Sequence, residues 1–156
     1  MITLSGIQDT VRAYIADDAY FATRGVSVIK DDGFQKQEML NQLSSSNAKG
    51  AVVIVNPIMD RSVQTAHGYP KTCEATVQVE IWVCPERNTG AGGANIDLED
   101  AYCAVIRAVS SYNDTDPSGD IQFNFQKSGQ PDRTLYNGGW IAVPVVFTKR
   151  ATLTIS

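Results

Sequence analysis

The sequence predicts an α+β fold, in which a mixed, mainly antiparallel β-sheet sandwich carries helices packed on one side. Residues 73–84 alternate between apolar and polar side chains, which is typical of a long strand. Residues 98–110 carry apolar side chains at helical spacing. The chain has 156 residues, and 43% of them are hydrophobic. This is the size of one domain that buries about two thirds of its surface, so we interpret residues 1–156 as a single domain.

The first predicted element is a helix over residues 6–17. Ser5 and Gln8 have the spacing of a capping box, and apolar residues follow at helical spacing. Three further elements are expected before residue 56: a strand over 26–30, a helix over 34–45 and a strand over 51–55. The last of these is apolar without interruption, which indicates a strand covered on both faces. A long polar loop over 56–71 is predicted to follow it.

The predicted strand over residues 73–84 is unusually long, at about 40 Å for a rise of about 3.3 Å per residue. One face is apolar, and the other carries Glu74, Gln78, Glu80 and Trp82. Burying an unpaired carboxylate costs free energy. We therefore expect this polar face to look onto water, a partner or a lumen.

The elements after Pro85 follow from helix caps and from alternation. The glycine-rich stretch 86–94 is expected to be a mobile loop, and Asp97 is a suitable N-cap for the helix that follows it. The remaining expectations are a turn over 113–120, a strand over 121–126, a polar connection over 127–139 and a strand over 140–148. Since proline lacks an amide donor, Pro144 indicates a strand edge or a bulge.

Composition excludes several classes of protein. The net charge is −4, whereas proteins that grip nucleic acid through its phosphates normally carry a basic excess. The 3 cysteines have no C-x-x-C spacing, which disfavours a disulfide framework and fits a reducing compartment. With no apolar run long enough to span a bilayer and no targeting segment at the start, the sequence predicts a soluble protein made in the cytosol.

The search for reactive groups predicts no catalytic residue, metal or cofactor, and hence no enzyme. His67 is the only histidine, so a nucleophile with a histidine base is disfavoured. Cys73 and Cys103 are expected on apolar faces, where cysteine packs as a small hydrophobe. Residues 114–121 match the opening of a calcium loop, but Phe125 occupies the place of its bidentate glutamate, so a carboxylate-rich turn is favoured.

Three segments carry a resemblance to a known family: the N-terminal helix, the strand Glu74–Val83 with the helix 98–110 behind it, and the final strand Gly139–Phe147. The chain resembles the tail terminator family of long-tailed bacteriophages, also called tail completion or minor tail proteins. The resemblance implies a structural virion protein that forms a hexameric ring on the head-proximal end of the tail tube. Such a ring stops tube polymerisation and serves head-tail joining.

The resemblance also implies partners and a location. The partners would be further copies of the chain, the tail tube protein and the head-tail connector or neck proteins, in the tail-neck region of a virion assembled in the host cytoplasm. DNA would pass through the ring without specific binding, and no membrane is involved. The candidates for lumen or interface contacts are Glu74, Gln78 and Glu80 on the long strand and Arg61, Arg87 and Arg133 in the loops.

Two alternatives remain open from the sequence. A head-tail connector or a tail tube subunit of the same particle would share these patterns. A small ligand-binding domain or an enzyme is a more distant alternative, which a pocket with strongly shifted pKa values would indicate.

Overall fold

The computed structural model describes residues 2–33, 49–63, 72–115, 123–128, 132–136 and 139–153. After a 3-10 turn at Leu4–Gly6, the helices are α1 (Ile7–Asp17), α2 (Ala19–Arg24), α3 (Pro85–Asn88) and α4 (Leu98–Thr115). The strands are β1 (Ser27–Lys30), β2 (Ala51–Val55), β3 (Asp60–Val63), β4 (Thr72–Val83), β5 (Asn124–Ser128), β6 (Asp132–Tyr136) and β7 (Trp140–Thr152). The helix expected over 34–45, His67 and residues 116–121 of the calcium-like turn lie outside the described residues.

The strands form a seven-stranded mixed sheet in the order β1-β2-β4-β7-β5, with β3 also paired to β4 and β6 to β7. β1 and β2 are parallel, and the other pairings are antiparallel. The α+β fold class with a mainly antiparallel sheet is confirmed. β4 is as long as predicted, and it is paired with β7 from Thr72 to Val83.

β2 and β3 follow one another along the same edge of β4. β2 ends in register with Val79, and β3 begins in register with Thr76. Residues 56–59 therefore stand opposite only Val77 and Gln78, so the chain bulges by two extra residues between β2 and β3. The long polar loop predicted over 56–71 is wrong at Asp60–Val63, where the chain continues along the sheet as β3, and residues 64–71 lie outside the described residues.

β5 and β6 occupy the opposite edge of the sheet, both paired with β7. The register shifts between Phe125 and Lys127, so β5 is also bulged. The polar connection predicted over 127–139 is wrong where β6 lies. The strand predicted over 121–126 is displaced toward the C-terminus, since β5 ends at Ser128 and residues 121–122 are outside the described part.

The helices lie on one face of the sheet, as predicted. Apolar residues of α1 and α4 pack there against the inward residues of β2, β4 and β7. The central members of this core are the fully buried residues Ile7, Ile15, Val53, Val77, Ile81, Val105, Val145 and Phe147. Asp97 caps α4 as predicted, since one carboxylate oxygen accepts from the amides of Glu99 and Asp100 at 3.0 and 3.1 Å. The helix runs on to Thr115, so the turn predicted from 113 begins too early.

The capping box predicted at Ser5 and Gln8 is wrong. Gly6 is the N-cap of α1 and makes no side-chain capping hydrogen bond. The Gln8 amide instead donates to the carbonyls of Asp31 at 2.7 Å and Val55 at 3.3 Å, where β1 and β2 end. The side chain stabilises the helix against the sheet, because strand-end carbonyls require donors when they are partly buried.

Asp18, between α1 and α2, joins three helices. Its Oδ1 caps α2 by accepting from the Tyr20 amide at 3.0 Å. Arg107 of α4 donates to both carboxylate oxygens, from Nη2 at 2.7 Å and from Nε at 3.0 Å. These bonds to Arg107 hold the pKa of Asp18 below its ordinary value, against the opposing effect of burial. The sequence analysis missed α2, whose only local signals are this cap and Gly25 at its C-terminus.

We expect Asp18→Ala to lower the free energy of unfolding by about 1–2 kcal/mol at pH 7, because a helix cap and a charge-assisted hydrogen bond are lost together. The folded pKa is depressed, so the stabilisation is complete above the unfolded value of about 3.9 and is lost as the pH falls through the folded pKa. Urea unfolding from pH 6 to pH 2 measures this. If the wild type and the variant differed in free energy of unfolding by the same amount at pH 6 and at pH 2, the stabilising role of the ionised Asp18 would be contradicted.

Pro144 occupies β7 without a register shift against β4, where it pairs with Glu80. On the other side of β7, the described pairing with β5 stops at Val145 and that with β6 starts at Ala142. Neither strand has a residue in register with Pro144. The pairing with β4 has no bulge at Pro144, and the placement at an edge stays a prediction, because residues 129–131 between β5 and β6 lie outside the described residues.

α3 covers only the first residues of the stretch 86–94 that is predicted to be a mobile loop, and residues 89–94 follow it without regular secondary structure. Asn88 is buried, and its side chain donates to the carbonyl of Ile96 and accepts from the amide of Ile96, both at 2.9 Å. A Cβ on Gly50 would overlap the backbone nitrogen of Asn88, and one on Gly93 would overlap the carbonyl oxygens of Arg87 and Asn88. Both glycines thus let the chain pack closely around α3, and the mobility of residues 86–94 stays a prediction.

Candidate interaction surfaces

The sheet face turned away from the helices carries a hydrogen-bonded carboxylate. Glu80 Oε1 accepts from Asn56 Nδ2 at 2.7 Å and from Gln78 Nε2 at 3.1 Å, and Oε2 accepts from Trp82 Nε1 at 2.8 Å. Asn56 is the first residue of the bulge between β2 and β3. All three partners donate to the carboxylate oxygens, and the network fixes the bulge against β4.

We expect Glu80→Gln to lower the free energy of unfolding by about 1–3 kcal/mol, although the substitution keeps the size of the side chain. The glutamine side chain has one acceptor oxygen and one donor nitrogen. Its nitrogen would face either the Trp82 indole N–H or the side-chain amides of Asn56 and Gln78, and in both cases two donors would then oppose each other. Chemical denaturation monitored by tryptophan fluorescence measures the change. Glu74→Gln on the same strand is the control and should cost less than about 0.5 kcal/mol, since Glu74 is exposed.

A second apolar cluster lies beside this network, on the same face. Its buried members are Val52, Ile54, Trp82, Cys84, Trp140 and Ala142, with Ile29 packed against them. Trp82 belongs to this cluster, so the expectation that the polar face looks onto water, a partner or a lumen is wrong at the C-terminal end of β4. The indole is both buried and hydrogen-bonded, which alternation alone does not reveal.

The predicted contact residues are only partly brought together. Gln78 and Glu80 are hydrogen-bonded neighbours, whereas Glu74 is exposed and stands in register with Arg150 of β7. The three arginines are distributed over separate places: the exposed Arg61 on β3, the exposed Arg87 on α3, and Arg133 in β6. Their roles in a lumen or an interface stay predictions.

The two lateral edges of the sheet carry the exposed large apolar residues. Among the described residues these are Met59 at 54%, Val63 at 45% and Phe125 at 36% relative exposure. Met59 and Val63 lie at β3 on one edge, and Phe125 lies in β5 on the other. Within the described part of the chain, β3 pairs only with β4 and β5 only with β7. Each edge therefore offers backbone donors and acceptors beside an apolar side chain.

None of the three cysteines forms a disulfide, and they differ in their surroundings. Cys73 and Cys84 are buried, and burial raises the pKa of the Cys73 thiol. Cys103 is exposed on α4, so its predicted place on an apolar face is wrong. The described residues contain no group of three or more His, Cys, Asp or Glu side chains that could hold a metal ion. None of the helices described is long and apolar enough to cross a membrane.

Lys149 is a buried polar residue that the sequence analysis did not single out. It lies on the helix side of β7, and its ammonium is 5.3 Å from the ring centre of Phe123 and 5.8 Å from that of Tyr112. The electron-rich faces of the rings favour a cation. Alternation along β7 could have indicated this position, because Phe147 and Ala151 point to the same side.

No protein-family model matches the sequence, and no curated protein matches it. One solved structure aligns with 96% of this chain and 97% of its own, with a TM-score of 0.40 and 13% sequence identity, under a name that describes no function. These comparisons assign the chain to no family.

Proposed function

We propose that the protein is a tail terminator subunit of a long-tailed bacteriophage. In this proposal, copies of the chain form a hexameric ring on the head-proximal end of the tail tube, where the ring stops tube polymerisation and offers a surface for head attachment. The protein is a structural component of the virion, placed in the tail-neck region after assembly in the host cytoplasm.

The observation that carries the proposal is the placement of the exposed apolar residues on opposite edges of one sheet. A subunit whose two edges differ associates head to tail, and such contacts close into a ring when the rotation per subunit is suitable. Met59 and Val63 would supply one half of each contact and Phe125 the other. Closure would leave the two ends of the ring for the tube and the neck.

The charge of the chain is consistent with a passage for DNA. The net charge is −4, and Glu74 is exposed on the sheet face away from the helices. A channel of negative charge repels phosphates, so DNA slides through it without being held. Glu80 contributes to the same face but is half-buried in its hydrogen bonds.

The proposal is tested by electron microscopy of the purified chain mixed with tail tubes from the phage that encodes it. We expect rings at one end of each tube and tubes that no longer lengthen when tube protein is added. Rings that stack along the tube would favour a tube subunit, and rings that bind only isolated heads would favour a neck connector. Either of these results, or tubes that continue to grow, would contradict the terminator function.

A further inference from the structure

We propose that β3 of one copy pairs with β5 of the next copy as antiparallel strands, so that one sheet continues from subunit to subunit. This inference depends on the proposed ring and names its interface. The kind of partner is a second copy of this chain. Both halves of the contact are present on the same subunit.

The strand directions are suited to this pairing. β3 is antiparallel to β4, β4 to β7, and β7 to β5, so β3 and β5 run in opposite directions. When two copies stand side by side with their helices on the same side, β3 of one meets β5 of the other in antiparallel orientation. No inversion of a subunit is required, and the arrangement repeats around a ring.

The residues of β3 and β5 can also be matched by the face of the sheet on which they lie. Arg61 is in register with Ala75, and Phe125 with Phe147, and both of these partners belong to the core on the helix side. Asp60 and Lys127 are in register with Thr76 and Val146, which belong to the other side. In a continuous sheet, residues on the same side stand opposite one another, and a shift by one residue would reverse them.

One register satisfies these conditions and brings complementary residues together. If Arg61 stands opposite Phe125, the bulge at residue 126 brings Asp60 opposite Lys127 and Ser62 opposite Asn124. A guanidinium beside an aromatic ring and two opposite charges are each favourable between paired strands. Exposed Met59 and Val63 would add apolar area that is removed from water on association.

The charged pair provides a test that does not depend on tail tubes. The variants are Asp60→Lys, with lysines at both positions, and Lys127→Asp, with aspartates at both. Each variant alone should raise the concentration needed for half-maximal ring formation by about tenfold or more, because like charges then meet at every contact. An equimolar mixture should restore rings of alternating variants, since each contact again joins opposite charges. Native mass spectrometry measures the composition.

Controls separate folding, interface and function. Arg12→Asp, on the exposed side of α1, should leave ring formation unchanged, and circular dichroism should show that all variants are folded. Wild-type chain that stays monomeric at high concentration, or single variants that associate like the wild type, would overturn the interface. If the mixture restores rings but wild-type rings do not bind tube ends, the interface stands and the terminator function fails.

Discussion

Replacing Gly50 by alanine is expected to lower the free energy of unfolding by about 3–5 kcal/mol, a large part of the roughly 5–15 kcal/mol of a typical domain. Gly50 has a φ of +70°, and a Cβ there would overlap the backbone nitrogen of Asn88. The substitution therefore combines left-handed backbone strain with a collision against α3. Backbone atoms yield less readily than a flexible side chain. Thermal and urea unfolding of the purified variant measure the loss.

Gly92→Ala is the matched control, because it separates the collision from the strain. Gly92 has a φ of +79°, and nothing lies within 4 Å of a Cβ built on it. We expect a cost of about 1 kcal/mol, from the backbone conformation alone. Equal effects of the two substitutions would contradict close packing around α3. Gly93→Ala should show the collision without the strain, since its Cβ would overlap the carbonyl oxygens of Arg87 and Asn88 while its φ is not positive.

The second large effect is expected for Phe147→Ala, at about 3–5 kcal/mol of unfolding free energy. Phe147 is fully buried, and its ring lies 4.4 Å from that of Phe125 and 6.4 Å from that of Phe123, measured between centroids. The row of rings continues through Tyr112 to Tyr14 on α1. Removal of the Phe147 ring would leave a cavity between the sheet edge and the helices. Chemical denaturation provides the measurement.

Phe125→Ala is compared with Phe147→Ala in order to separate folding stability from self-association. Phe125 is 36% exposed, so its truncation should cost about 1 kcal/mol or less of folding stability. In the proposed ring the same side chain faces Arg61 of the neighbouring copy, and its loss should weaken self-association. If Phe125→Ala forms rings as the wild type does while Phe147→Ala loses stability, the aromatic row serves folding alone.

The fold was predictable where one element is long and its pattern is local. β4 and α4 are evident from alternation and from helical spacing, because twelve or more residues repeat one rule. α2 and β3 were missed, since Ala19–Arg24 and Asp60–Val63 are too short for a period to emerge. β3 forms because the bulge returns the chain to the edge of β4. This pairing joins separate segments of the chain, and the alternation of residues within one segment does not predict it.

The candidate surfaces were less predictable for the same physical reason. Alternation placed Glu74, Gln78 and Glu80 on one side of β4, but the partner that holds Glu80 in the bulge, Asn56, is 24 residues away. The loop predicted over 56–71 hid the edge position of Met59, and the strand predicted over 121–126 contained Phe125 without showing that this strand lies at an edge. Their exposure depends on which strands end the sheet, and this follows from the complete strand order.

The pairing of β4 with β7 also affects how the chain is made. The two strands share twelve register pairs, from Thr72 with Thr152 to Val83 with Ile141, and α3, α4, β5 and β6 all lie between them. During translation the apolar side of β4 therefore leaves the ribosome long before its partner exists. Strands so far apart in the sequence pair slowly, and β4 is prone to aggregation until β7 has been synthesised. Completion requires the last strand, whose Thr152 amide donates to the carbonyl of Ile2 at 2.9 Å. A chain interrupted before β7 would therefore lack the central partner of its longest strand and should be removed as an unfolded product rather than enter an assembly.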